Sequence, residues 1–152
     1  MDISQITDYL YIAARPNGQD AAAIKELDIR LIISMTWSRP DRNLSRPPLQ
    51  LLRIPTIDSP LTPIPITALQ KGVDAALPVI QDGGAVLTHC RQGRHRSVAM
   101  AAAVLIGTGY SADEAMKVIS QQRKAADPYI FYIRWRIRVF ETWWRDFRRS
   151  AG

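Results

Sequence analysis

The chain lacks a second cysteine, since Cys90 is the only one in 152 residues. A lone cysteine excludes an internal disulfide and any zinc site built from several cysteines, so a reducing compartment is the natural setting. The longest stretch without charge, Ser97 to Ala112, has sixteen residues. A membrane-spanning helix needs about 20. The first residues also lack a basic segment followed by an apolar one, so no secretory signal is expected. We therefore expect a soluble cytoplasmic protein.

Internal repeats and low-complexity segments are absent as well, and the length suits one domain. A chain of 152 residues is large enough to bury about two-thirds of its unfolded surface in a single core. We expect residues 1–152 to form one domain, with no second domain and as a monomer.

What the chain does contain is a cluster of arginine and histidine around its cysteine, in the segment His89-Cys90-Arg91-Gln92-Gly93-Arg94-His95-Arg96-Ser97. Before it, Ala85 to His89 follows the turn signal Gly83-Gly84 and predicts a buried strand. After it, the Ala-rich run Val98 to Ile106 predicts a buried helix. The cluster therefore lies in a loop that joins a strand to a helix N-terminus.

Such a loop is suited to binding phosphate. Successive backbone N–H groups converge into an anion-binding concavity, and the helix N-terminus adds roughly half a positive charge. Arg96 supplies a planar two-donor fork that matches phosphate oxygens, and Gly93 lets the backbone bend close to the anion. The same positive field favours the thiolate of Cys90, which is the nucleophile that covalent phosphoryl transfer needs.

The spacing of His89-Cys90, five further residues, and Arg96-Ser97 resembles the signature loop of the cysteine-dependent protein tyrosine and dual-specificity phosphatases. The resemblance implies a phosphomonoester hydrolase with a cysteinyl-phosphate intermediate, in which Ser97 donates a hydrogen bond to the sulfur and His89 orders the loop from behind. The residues expected to bind the substrate are Arg91, Gln92, Gly93, Arg94 and His95. No metal or other cofactor is expected, because this chemistry depends on positioning and electrostatics.

A proton donor is also needed, because an alkoxide or phenolate is a poor leaving group. In the family the acid lies on a loop upstream of the cysteine, and Asp58 precedes Cys90 by thirty-two residues. Asp58 follows a predicted strand, Leu49 to Ile54, although it could simply cap a turn. Asp41 and Asp82 are alternatives in less suitable places. The tryptophan-proline-aspartate triplet of the tyrosine-specific branch is absent, which favours the dual-specificity or lipid-directed branches.

The remaining sequence predicts alternating strands and helices. Strands are expected at Ile6 to Ala13, Ile29 to Met35 and Leu49 to Ile54, helices at Asp20 to Leu27 and Ile66 to Ile80, and a polar loop at Thr36 to Pro48. This alternation predicts an α/β fold with a central, mainly parallel sheet and helices on both faces. Active sites in such sheets lie at the carboxyl ends of strands, where Cys90 falls.

Two further helices are expected at the C-terminal end. The capping box Ser111-Ala112-Asp113-Glu114 starts one that runs to about Arg123, and Pro128 opens a long one that runs to about Arg149. The long helix has an apolar stripe and a charged face. The stripe comprises Ile130, Ile133, Ile137, Phe140, Trp144 and Phe147, and the charged face comprises Arg134, Arg138, Glu141, Arg145 and Arg148.

The substrate stays open between phosphorylated proteins and phospholipid headgroups. Arg91, Arg94 and His95 make the loop more basic than one phosphate demands, which resembles phosphatases of phosphoinositides or phosphatidylglycerophosphate. Residues 123–149 carry eight Lys or Arg against three acids. This face could contact an anionic membrane or be an ordinary solvated helix face. Exposure of Trp135 or Trp143 would favour the membrane, because tryptophan anchors at lipid interfaces.

Two other classes of function stay open. A phosphate-binding module without catalysis would keep Arg96 and lack the acid. An RNA 5′-triphosphatase of the same superfamily would also use a basic surface, but no aromatic-and-basic RNA motif is present, so nucleic acid is not an expected partner. A rhodanese-like sulfurtransferase is disfavoured, because Asp58 would then have no role.

Overall fold

Five strands form one sheet in a computed structural model that describes residues 1–151. The strands are β1 (Ile3–Thr7), β2 (Leu10–Ala13), β3 (Ile29–Ser34), β4 (Gln50–Arg53) and β5 (Ala85–His89). Their order across the sheet is β1-β2-β5-β3-β4. Only the β1–β2 pair is antiparallel among these described strands, so the expected mainly parallel sheet is confirmed.

The N-terminal strand differs from its prediction. Instead of one strand over Ile6 to Ala13, the chain forms a hairpin in which β1 ends at Thr7 and β2 begins at Leu10. The backbone N–H of Tyr9 donates to Oγ1 of Thr7 at 3.3 Å in the turn. The turn carries no Asn-Gly or Asp-Gly signal, so the apolar residues on both sides look continuous in the sequence.

Five α-helices cover the sheet on both faces, as expected. They are α1 (Ala21–Glu26), α2 (Ile66–Gln81), α3 (Arg96–Gly107), α4 (Ala112–Gln122) and α5 (Phe131–Ala151). α1 packs on one face together with Leu44, which belongs to a short 3₁₀ segment (Arg42–Ser45) inside the predicted polar loop. The other helices pack on the opposite face. α3 contacts α2, α4 and α5 and is buried along almost its whole length, because its alanines let neighbours approach closely.

The two C-terminal helices form as the sequence predicts, except that the second begins later than expected. The capping box is present, since Oγ of Ser111 accepts from the N–H of Glu114 at 3.1 Å and Oε1 of Glu114 accepts from the N–H of Ser111 at 2.9 Å. α5 begins at Phe131 and not at Pro128, because residues 128–130 form a turn. Four members of the apolar stripe are buried, whereas Phe147 is half exposed near the end of the helix.

The parallel register brings the carboxyl ends of β2, β5 and β3 together. Both Ala13 and Ser34 pair with His89, and the N–H of Met35 donates to the His89 carbonyl at 2.9 Å. β4 ends beside β3, so the loop that carries Asp58 starts at the same edge. Within residues 1–151, no helix is long and apolar enough to cross a membrane, and no group of His, Cys, Asp or Glu is arranged to hold a metal ion.

Candidate active site

The loop after β5 starts at Cys90 and ends where α3 begins at Arg96. Gly93 in its middle has a φ of 64°, a left-handed conformation that glycine adopts at little cost. A Cβ atom there would lie 2.7 Å from the carbonyl group of Ala13. Both the backbone conformation and the closeness of β2 therefore require glycine at this position.

The Cys90 thiol is buried and surrounded by hydrogen-bond donors. Its Sγ lies 3.1 Å from Oγ of Ser97. Burial by itself raises the pKa of Cys90, but the hydroxyl and backbone of Ser97, the backbone of Arg94 and the charge of Arg96 together lower it below its usual value. These contacts stabilise the thiolate relative to the thiol, which is the direction that the sequence predicts for a nucleophile.

Arg96 is held in place by the backbone of two other loops. Its Nη1 donates to the carbonyls of Met35 at 3.0 Å and Thr56 at 2.7 Å. Its Nε is buried and has no hydrogen-bond partner within residues 1–151. A buried cationic N–H without a partner is costly. A phosphate oxygen next to Cys90 is the kind of acceptor that would satisfy it.

Most of the predicted site residues line one cavity of about 280 Å³. Its walls are Asp58, Cys90, Arg91, Gln92, Arg94, His95 and Arg96. Gly93 and Ser97 are buried behind it. Of the alternative acids, Asp41 caps the 3₁₀ segment by accepting from the N–H of Asn43 at 2.8 Å, and Asp82 pairs with Arg30 at 2.9 Å. Neither of them lines this cavity, so Asp58 is the one candidate acid that lies beside Cys90.

Asp58 is fixed by two side chains from other elements. Its Oδ1 accepts from the Tyr132 hydroxyl at 2.6 Å, and its Oδ2 lies 2.9 Å from Nδ1 of His95. Because the Tyr132 proton goes to Asp58, the Tyr132 oxygen can only accept from His95, whose Nδ1 is 3.2 Å away. Nδ1 of His95 therefore carries a proton in this arrangement.

The same contacts set the charge of Asp58. Partial burial raises the pKa of Asp58. The hydrogen bonds from Tyr132 and His95 and the charges of His95 and Arg96 outweigh this effect, so the pKa of Asp58 lies below its usual value. Burial also raises the pKa of Tyr132 to about 12, with further contributions from the hydrogen bond to Asp58 and from its charge. Tyr132 therefore stays a donor to an ionised Asp58 at neutral pH.

His89 lies within β5 and is completely buried. Burial lowers its pKa to about 4, and the positive charges of Arg15 and Arg96 act in the same direction. Neither ring nitrogen has a side-chain or backbone partner within residues 1–151. His89 is therefore a neutral ring behind Cys90 and out of reach of solvent. This position agrees with a structural role and not with the role of a general base.

Arg123 is a buried part of the site that the sequence does not reveal. Its Nε donates to the Gly93 carbonyl at 2.8 Å, and its Nη2 donates to the Gln92 carbonyl at 3.0 Å. Both Nη atoms also bind the carboxylate of Asp2, at 2.9 and 3.0 Å. In a trans peptide the N–H points opposite to the carbonyl, so Arg123 turns the N–H groups of Gly93 and Arg94 away from itself. The contact thus orients two donors of the loop.

Known proteins resemble this chain along most of its length. The family described as "Dual specificity phosphatase, catalytic domain" matches residues 10–141. Mouse dual specificity phosphatase 28 is 32% identical over 111 residues, which cover 71% of this chain and 68% of that protein. Human phosphatidylglycerophosphatase and protein-tyrosine phosphatase 1 is 42% identical over 77 residues, which cover 49% of this chain and only 37% of that protein.

Solved structures share the fold. The crystal structure of PTPMT1 in complex with PI(5)P superposes with a TM-score of 0.79 at 22% identity and covers 99% of both chains. At this identity the match concerns the fold alone. It agrees with the mostly parallel sheet and its enclosing helices.

Proposed function

The chain belongs to the dual specificity phosphatase family, whose catalytic domain matches residues 10–141, and from this membership we propose that Cys90 hydrolyses phosphomonoesters through a cysteinyl-phosphate. One observation carries the proposal. The buried sulfur of Cys90 lies 3.1 Å from Oγ of Ser97, in a cavity that it shares with Arg96 and Asp58. Nucleophile, anion-binding fork and proton donor are therefore within reach of one phosphate group.

In the first step the Cys90 thiolate attacks phosphorus. The S–P bond forms while the P–O bond to the leaving group breaks, and the leaving oxygen takes a proton from Asp58. Because the pKa of Asp58 is lowered, the fraction of the protein that carries this proton grows as the pH falls. Arg96 and the backbone N–H groups of the loop stabilise the equatorial oxygens, which carry the charge of the transition state. The orientation that Arg123 gives to the loop supports this part of the mechanism.

In the second step water attacks the phosphorus of the cysteinyl-phosphate. Asp58, now a carboxylate, takes a proton from the water, and the P–S bond breaks to return the thiolate of Cys90. The hydrogen bond of Ser97 stabilises that thiolate as it leaves. Inorganic phosphate is the product, and Asp58 is protonated again for the next cycle.

Phosphotyrosine, phosphoserine or phosphothreonine in proteins is the substrate class that we propose first. The similarity to mouse dual specificity phosphatase 28, which extends over 71% of this chain, supports it. We also propose that the protein works in a reducing setting such as the cytoplasm, because Cys90 must stay a free thiol to act. No second cysteine in the chain can form an internal disulfide that would protect it from further oxidation.

A phospholipid headgroup is the second candidate substrate, and the aromatic residues of α5 favour it. Trp135 is 48% and Trp143 is 44% exposed, which is the condition that the sequence set for a membrane contact. Each ring also has a neighbour on the protein, since Arg136 lies 4.6 Å from the centre of the Trp135 ring and Trp143 donates to Gln70 at 3.1 Å. The human relative named as a phosphatidylglycerophosphatase supports the same candidate.

The test compares substrates on the wild-type protein and on Cys90→Ser. We expect wild type to hydrolyse an aryl phosphate and a phosphotyrosine peptide. Cys90→Ser should hydrolyse neither, because a serine hydroxyl is not ionised near neutral pH. Undiminished turnover by Cys90→Ser would refute the mechanism.

Three outcomes, two of them with a further substrate, separate the alternatives. Faster release of phosphate from a phosphoinositide in vesicles than from the peptide would favour the lipid candidate. Binding of the phosphopeptide without turnover by wild type would indicate a non-catalytic module. Release of phosphate from RNA bearing a 5′-triphosphate, with no turnover of the peptide, would indicate the triphosphatase.

A further inference from the structure

A second cleft adjoins the cavity that contains Cys90. It has a volume of about 400 Å³ and is lined by Arg15, Thr36, Trp37, Ser38, Arg91 and Arg96. Arg91 and Arg96 also line the first cavity. The two spaces therefore meet at a wall made by two arginines of the phosphate-binding loop. We call this second space the Arg15 cleft.

The walls of the Arg15 cleft are set by the sheet. Arg15, Arg91 and Thr36 each lie two residues beyond the end of a strand, and those strands, β2, β5 and β3, are parallel neighbours. The N–H of Arg15 donates to the carbonyl of Arg91 at 3.3 Å. On the other side, Nη2 of Arg53 holds the carbonyl of Trp37 at 2.8 Å. These contacts fix the backbone around the cleft, whereas the side chains of Arg15, Trp37, Ser38 and Arg91 that line it are exposed.

The cleft brings together arginines that have no acidic partner, as several other arginines of the described residues also have none. Arg30, Arg138 and Arg145 each pair with a carboxylate at the surface. Within residues 1–151, neither Arg15 nor Arg91 has such a partner, and the guanidinium of Arg15 donates only to the carbonyl of Arg39, at 3.3 Å. Unpaired guanidinium groups that line one cleft repel each other, and an anion between them removes that repulsion.

We propose that the Arg15 cleft binds a second phosphate group of the same substrate molecule. The inference rests on the proposed function, because the first phosphate is the one that Cys90 attacks. Arg91 lines both spaces and so can contact both phosphate groups. Trp37, which is 65% exposed at the cleft, offers an apolar surface to the organic spacer between them. The preferred substrates are then molecules with two phosphate groups, as monoester or diester, on one short spacer.

Competitive inhibition of aryl phosphate hydrolysis tests the proposal. The probes are alkane bisphosphonates of increasing chain length, each compared with the alkyl monophosphonate of the same length. We expect at least one bisphosphonate to bind about tenfold more tightly than its monophosphonate, which is the range for one charge-assisted hydrogen-bonded contact. The Arg15→Gln variant should reduce this ratio about tenfold, and Arg15→Lys should reduce it less, because lysine keeps the charge without the fork.

Arg149→Gln is the matched control, since it removes the same charge from the far end of α5, where Arg149 is exposed. It should leave the ratio unchanged. A ratio near one at every chain length, or an equal loss in Arg15→Gln and Arg149→Gln, would overturn the proposal. If wild type hydrolyses no aryl phosphate, the proposed function fails. Calorimetric titration of the same probes then tests the cleft without turnover. Tighter binding of a bisphosphonate than of its monophosphonate by wild type, with a smaller ratio in Arg15→Gln, supports the cleft, and equal ratios overturn it.

Discussion

Around Cys90 the chain holds its geometry with backbone and buried groups, whereas around Asp58 it uses side-chain hydrogen bonds near the surface. The loop from Cys90 to Arg96 is fixed by the left-handed Gly93 and by the buried Arg123. Asp58, the proposed acid, lies in residues 54–65, which contain no helix or strand and four prolines. We call the half that is held by backbone and buried groups the rigid half, and the half that is held by side-chain hydrogen bonds outside helices and strands the adjustable half.

The difference follows from what each half does. The thiolate and the phosphate need donors in fixed positions, because preorganised dipoles stabilise the transition state without reorganising. In the proposed mechanism, Asp58 must meet leaving groups of different size and alternate between donating and accepting a proton. Arg96 connects the halves, since its Nη1 binds the Thr56 carbonyl on the acid's side. Predictions that affect the two halves separately test this division.

Asp58→Ala should give the largest effect in the adjustable half. We expect kcat to fall by about 10²- to 10⁴-fold, the usual range for losing a general acid, while binding of inorganic phosphate changes much less because the phosphate-binding loop is intact. The loss should be greater for phenyl phosphate than for nitrophenyl phosphate, whose leaving group needs less protonation. Asp41→Ala and Asp82→Ala are the controls. A normal rate for Asp58→Ala together with a loss in either control would move the acid to another residue.

Arg123→Met tests the rigid half without touching the cavity. It leaves the carbonyls of Gln92 and Gly93 without their buried partner, at about 1–3 kcal/mol each. We expect a lower free energy of unfolding in denaturant titration and a fall in kcat/KM of about tenfold, because the loop donors lose their orientation. Arg123→Lys keeps the charge and should recover part of both. Stability lost with kcat/KM unchanged would show that Arg123 supports the fold and not the loop's geometry.

Local sequence signals predict much of the rigid half. The strand from Ala85 to His89 agrees with β5 at both ends, and the nine-residue signature contains its own turn and helix start. The sequence also predicts Asp58 as a candidate acid, because it shows both the position of Asp58 after a strand and its spacing to Cys90. The structure brings Asp58 into the cavity, and its role as the acid stays a prediction.

The contacts that complete the site could not be read from the sequence. Tyr132 binds Asp58 across 74 residues and Arg123 binds Gly93 across 30. In the sequence Tyr132 is one aromatic residue in a helix full of them, and Arg123 looks like the end of a basic surface. The sequence also puts the start of α5 too early, since the proline that can open a helix lies in a turn before the helix here.

Ser97→Ala should raise the pKa of Cys90, because it removes a hydrogen bond that stabilises the thiolate. The alkylation rate with iodoacetamide should then rise with pH at higher values than in wild type. We also expect kcat to fall about tenfold or more, since a hydrogen bond to a charged group contributes about 1.5–3 kcal/mol. Ser45→Ala, at an exposed site on the opposite face of the sheet, should change neither quantity. An unchanged alkylation profile in Ser97→Ala would mean that the loop N–H groups and Arg96 suffice to hold the thiolate.

Tyr132→Phe should give the smallest effect and the most specific one. Asp58 must be protonated to act, so kcat/KM declines as the pH rises through its pKa, which the Tyr132 hydroxyl helps to lower. Removing that hydroxyl raises the pKa of Asp58 and moves the basic limb of the pH profile to higher pH. At low pH, where Asp58 is protonated in both proteins, kcat should fall about fivefold, as expected for one lost hydrogen bond that positions the acid. Tyr129→Phe, at a half-exposed position in the same segment, should leave the profile in place. A basic limb that does not move in Tyr132→Phe would separate Asp58 from the proton transfer, and the adjustable half of the site would then need another acid.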